Sequence, residues 1–135
     1  MASIRKEILI AAPPERVWDA LSDVGALHTR LVPGFVTHTW MDGKTRVVTF
    51  GNGVVAREEI VSIDAAQRRV AWAILGQQFR HYNSAASVEA GPKGGSRFVW
   101  TTDVLPDELA EKVEQMMIAG LAAMKKALEA EAQAA

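Results

Sequence analysis

The sequence predicts an α+β domain in which an antiparallel sheet of about seven strands is covered by one long C-terminal helix, with two short helices after the first strand. Three observations carry this prediction. Segments with apolar residues at period two follow one another along the chain, joined by short turn-like sequences that favour antiparallel neighbours. From Pro106 the period becomes helical and stays so almost to the end. An antiparallel sheet must cover its apolar face, and that last helix is the only element long enough to do it.

The elements follow in order. Ser3 to Ala11 places Ile4, Ile8 and Ile10 on one face of a half-buried strand, with Lys6 the exception. Pro13 and Pro14 suit the first positions of a helix, Glu15 suits its positive end, and Val17, Trp18 and Leu21 form the apolar stripe of a helix ending near Ser22. Asp23 is expected to cap a second short helix over Val24 to His28. After Pro33-Gly34, strands are predicted over Phe35 to Met41, Thr45 to Phe50, Val54 to Asp64, Arg69 to Leu75, Phe79 to Ala90 and Ser96 to Leu105. The closing helix carries Leu109, Val113, Met116, Met117, Gly120, Leu121, Met124 and Leu128 on one broad face. Asp107 and Glu108 lie in its first turn, and Lys125 and Lys126 come late, as the macrodipole favours. No repeat or linker divides the chain, so residues 1–135 are expected to form a single domain, with about 130–135 a frayed tail.

Composition narrows the function classes. The 135 residues are 49% hydrophobic, with 15 Lys+Arg against 16 Asp+Glu and a formal net charge of −1. Such a chain lacks the global positive field that phosphate-backbone binding needs, so no nucleic-acid partner is expected. The absence of cysteine removes disulfides, thiolate metal sites and cysteine nucleophiles together. No run approaches the roughly 18 apolar residues of a membrane span, and Arg5, Lys6 and Glu7 interrupt any signal-like segment. A cytoplasmic monomer or homodimer without integral membrane contact is expected.

The opening ILIAAPPERVWDALSDVGALH, with VPGF, RVVTFGNGVVAREEIVSID, QRRVAWAIL and GGSRFVWTTDVLP after it, resembles the START-like, helix-grip (SRPBCC) superfamily, especially its polyketide cyclase/dehydrase-like branch. The likeness runs through nearly the whole chain. It implies a helix-grip fold, a curved antiparallel sheet wrapped on the long C-terminal helix, with an elongated cavity between them for a hydrophobic ligand of polyketide, lipid or other cyclic class. It implies no single chemistry, because members bind or transport lipids, hormones and quinones, or cyclise polyketides, without a universal catalytic residue.

The residues themselves bear on that cavity. Val70, Trp72 and Ile74, then Phe98, Trp100, Thr102 and Val104, define one apolar face, joined by Tyr82, Ser84, Ala86, Val88 and Ala90. A solidly packed face would carry large aliphatics throughout, so Ser84, Ala86 and Thr102 leave volume to be filled or left hollow. Met116, Met117 and Met124 fit ordinary core filling by their spacing alone; the resemblance makes them, with Gly120, a deformable cavity wall.

Polar candidates depend on register. A three-residue loop at Gly51–Gly53 pairs Phe50 with Val54, Val48 with Ala56 and Arg46 with Glu58, setting an inner Arg46–Glu58 pair where either group could orient a ligand or move protons. A two-residue Asn52-Gly53 turn instead sets Arg46 opposite Glu59, an exposed pair worth little. Tyr82, the only tyrosine, is a further donor or a packed core residue. His38 shares a face with Val36 and Trp40 by alternation and is taken as a ligand-binding candidate; His28 lies near the expected cavity mouth and His81 faces outward. The histidines have no metal-ligand spacing, and no nucleotide fingerprint is present, so neither metal nor cofactor is expected. The leading expectation is a small-molecule binding domain. A cyclase, dehydratase or lyase using Arg46, Glu58, Tyr82 or a histidine is the alternative, and a protein-interaction or quinone-handling module a third.

Overall fold

Apolar alternation and turn chemistry produce seven strands and two helices in the computed structural model of the chain, which describes residues 1–134. The strands are β1 (Ala2–Ile10), β2 (Val36–Asp42), β3 (Thr45–Phe50), β4 (Val55–Asp64), β5 (Arg69–Leu75), β6 (His81–Ala90) and β7 (Ser96–Leu105). Helix α1 spans Pro14–Ser22 and helix α2 spans Ala110–Ala134. All seven strands form one antiparallel sheet in the order β1-β7-β6-β5-β4-β3-β2. Only β1 leaves the sequential meander, pairing with β7 at the far edge, so α1 and the turns after it must cross one end of the sheet to reach β2.

Helix α2, 25 residues long and so about 37 Å at 1.5 Å per residue, packs on β1 and β7. Its buried face is Val113, Met117, Gly120, Leu121, Met124 and Leu128, the stripe its period predicts. It meets Phe98, Trp100 and Val104 of β7 and Val70 and Trp72 of β5 in one core. Lys6, the polar exception on the inner face of β1, reaches across to Glu114 of α2 at 2.8 Å.

Two local expectations are corrected. Asp23 makes no cap; its carboxylate takes a hydrogen bond from Arg30 at 3.1 Å, and the expected second short helix becomes a 3₁₀ turn at Val24–Ala26 followed by a wide turn over Leu27–Leu31. The wide turn closes through the Val32 N–H to Leu27 O bond of 2.9 Å and puts Leu27 and Leu31 into the core. Helix α2 continues through Ala134, and Ala135, the last residue of the expected tail, lies outside the described residues. Alanine and glutamate favour helix there, Ala132 packs against the core, and Glu131 sits 3.7 Å from Arg16 of α1.

Candidate functional site

Sheet curvature, α2 and the crossing segment border two adjoining spaces. At the deep end lies an inner chamber of about 60 Å³, roomy enough for a few water molecules. Leu21 of α1, Leu27 and Leu31 of the wide turn, Trp72, Trp100 and Met124 are among its walls. Outside it an open groove of about 510 Å³ runs between the β3–β4 hairpin and the start of α2, a volume within the usual range for small-molecule sites. Phe35, Phe50, Ile74, Tyr82 and Met116 border both spaces and so stand at the neck where the two meet.

The neck is built by close backbone approach. Gly51 N–H donates to Phe35 O at 2.9 Å, and a Cβ on Gly51 would stand 2.7 Å from Gly34 O, so only glycine lets the hairpin tip touch this loop. That contact sets Phe35 edge-on to Phe50, with ring centroids 5.5 Å apart. On the opposite side Gly120 of α2 leaves room for both Phe35 and Trp100, whose ring atoms would lie 3.3 and 3.1 Å from a Cβ there.

The inner chamber holds one ion pair. The hairpin closes as a three-residue loop, with Phe50 N–H on Val54 O at 2.8 Å and Gly53 N–H on Phe50 O at 2.9 Å, which places Arg46 directly opposite Glu58. Arg46 Nε donates to Glu58 Oε1 at 2.8 Å, and Nη2 lies 2.7 Å from the same oxygen. Its Nη1 donates to Val24 O at 3.4 Å, and the guanidinium lies 5.3 Å from the ring centroid of Trp72. Arg46 is 2% exposed and Glu58 6%. The two charges cancel, so the deep end carries hydrogen-bonding capacity without net charge.

Tyr82, buried beside them, packs its ring against Phe79 at 4.9 Å. Burial pushes its phenol up to about 12, and the Glu58 charge adds to this while Ser84 and Thr102 oppose it. At neutral pH it is a hydrogen-bond donor and not a base. Below it, the Ser84 and Thr102 hydroxyls bond each other at 2.7 Å, and Trp100 Nε1 points at Ser84 Oγ from 3.5 Å.

This architecture has known counterparts. The family model for polyketide cyclase / dehydrase and lipid transport matches residues 1–130. The chain belongs to this family. No curated protein matches the sequence. Among solved structures, XoxI from Bacillus cereus is similar at 20% identity and TM-score 0.82, covering 95% of this chain and 96% of that one. Ara h 8.0201 is similar at 21% identity and TM-score 0.71, covering 99% of each chain. A START superfamily protein from Mycobacterium smegmatis is similar at 16% identity and TM-score 0.72, covering 98% and 97%. At such identities these likenesses speak for the helix-grip fold alone.

Within this polyketide cyclase/dehydrase and lipid-transport fold, Arg46, Phe50, Glu58, Trp72, Tyr82, Trp100, Met116 and Met124 all border the inner chamber. Four other candidates do not. His38 is exposed because a bulge at Thr37 breaks the alternation between Val36 and His38 and turns the imidazole outward. It meets His28 edge-on at 5.6 Å, outside the cavity. Ser84 is consumed by the Thr102 bond, Met117 is wholly buried in the core beneath the chamber, and the room that Gly120 opens is occupied by Phe35 and Trp100. Phe35 and Lys112, which the sequence does not single out, also line these spaces. Phe35 lies in the VPGF segment, where period gives no face.

Proposed function

We propose that this protein binds a hydrophobic small molecule whose body lies in the outer groove and whose leading end passes the Phe35–Phe50 neck toward Arg46, Glu58 and Tyr82. The observation that carries this reading is a buried, self-neutralised ion pair in the wall of an otherwise apolar chamber. A pair so placed offers a neutral ligand group, a carbonyl or hydroxyl, donors and acceptors without a net charge to desolvate. Family membership supports the ligand class.

The alternative, a cyclase or dehydratase, would assign proton transfer to Glu58 or Tyr82. Glu58 is already engaged by Arg46, and Tyr82 holds its proton to about 12. The phenol is therefore no base near neutrality and the carboxylate is held in its ion pair, which favours binding over catalysis.

Titration with the neutral probe N-phenyl-1-naphthylamine tests the proposal. Saturable probe emission is expected, with quenching of intrinsic fluorescence that is lost in Trp72→Phe. Absence of saturation across a panel of lipophilic compounds, with no shift in melting temperature, would count decisively against it.

A further inference from the structure

The deep end of the cavity is neutral, but its mouth is not. Lys112 is the single charged side chain bordering the outer groove. Among the described residues it joins no ion pair, whereas its helix neighbours Glu114 and Lys125 are engaged by Lys6 and Glu129. Glu108 and Glu111 stand on the adjoining turn without bordering the groove. The other polar side chains at the rim are Asn52 and Gln78. Asn52 Oδ1 accepts the Val54 N–H at 3.0 Å, which leaves the amide NH₂ as its unengaged end. Gln78 folds its carbonyl oxygen toward Gly76. The rim thus offers a cation and an amide donor around an apolar floor.

Resting on the binding reading above, we infer that the ligand is an amphiphile with an apolar body and a terminal carboxylate, seated with the carboxylate outward at Lys112. The reverse orientation is disfavoured by charge. A carboxylate carried inward would be desolvated beside Glu58, whose partner Arg46 is already neutralised, and would gain repulsion where it needs compensation. Outward, the carboxylate keeps part of its hydration and gains a cation in a half-open groove of low polarity. Lys112 would then select among ligands of similar apolar bulk, a task the chamber walls cannot perform.

The test compares decanoate with 1-decanol as competitors for N-phenyl-1-naphthylamine at pH 7.5 and low salt. Decanoate should displace the probe at about fivefold lower concentration than decanol, the size of one partly exposed ion pair, and added salt should erode this advantage. Lys112→Gln should abolish the difference, and Lys112→Glu should reverse it. Equal displacement by acid and alcohol in the wild type, or an acid preference that survives Lys112→Gln, would overturn the inference while leaving the cavity reading intact. Failure of the probe and of both competitors to bind would instead remove the cavity reading and this inference together.

Discussion

Arg46 and Glu58 occupy directly opposed positions on β3 and β4, and the arginine commits two nitrogens to a single carboxylate oxygen inside an apolar chamber. Each ion is tolerable only because of the other. Glu58→Gln keeps the shape but strands a guanidinium, and Arg46→Met strands a carboxylate, so each is expected to lose about 3–5 kcal/mol of stability. The double change Arg46→Met with Glu58→Leu should recover most of that loss, since well-packed apolar replacements of a buried pair are often neutral or better. Urea denaturation of the four proteins decides it: single losses below about 1 kcal/mol would mean that the pair is solvated like a surface one.

Gly120 governs how closely α2 approaches the aromatic neck. A side chain at that position would meet Trp100 at 3.1 Å and Phe35 at 3.3 Å. Gly120→Val is expected to destabilise by about 1–3 kcal/mol from overpacking, although replacing a helical glycine returns a fraction of that. Phe35→Ala in the same chain should relieve the clash, so thermal melts of the double variant should show less than the summed loss. Simple addition would place the two residues out of contact.

The limits of reading the sequence are visible at these same residues. Face assignments on β5, β6 and β7 hold wherever alternation is unbroken, and the helical stripe of α2 follows from its period, because both patterns are local. The Arg46–Glu58 pairing required a choice between two loop lengths, which only the closed hairpin decides. His38 was misassigned because a single bulged residue, Thr37, reverses parity without leaving a compositional mark. Gly120 has no side chain to fill its place, and the occupant, Phe35, arrives from a loop whose path depends on Gly51 touching Gly34. Such closures arise from packing between distant segments, where local pattern has no information.

Ser84, Thr102 and Trp100 form a small polar cluster in an apolar floor. Thr102→Val preserves shape while leaving the fully buried Ser84 hydroxyl without its 2.7 Å partner, a change expected to cost about 1–3 kcal/mol. Ser84→Ala combined with Thr102→Val should cost less than the sum of the two, because no hydroxyl is then left stranded. Chemical denaturation of the three variants measures the coupling. Additive losses would show that the hydroxyls act independently.

Tyr82 supplies the pH dependence. Its folded-state value, about 12, exceeds the roughly 10 expected of an unfolded chain. Above the lower value the unfolded state sheds its phenolic proton first and so binds fewer protons than the fold, which makes stability fall with rising pH. The contribution is therefore intact below pH 10 and declines through the interval up to pH 12, by at most about 2–3 kcal/mol. Because Tyr82 is the only tyrosine, phenolate absorbance near 295 nm reports it alone, and the folded protein should titrate well above the urea-unfolded one. Lysines also discharge in this interval, so the decisive quantity is the difference between wild type and Tyr82→Phe in urea midpoint from pH 9 to 11.5. That difference should shift against the wild type as pH rises; a constant offset would mean that the phenol is as accessible in the fold as in the unfolded chain.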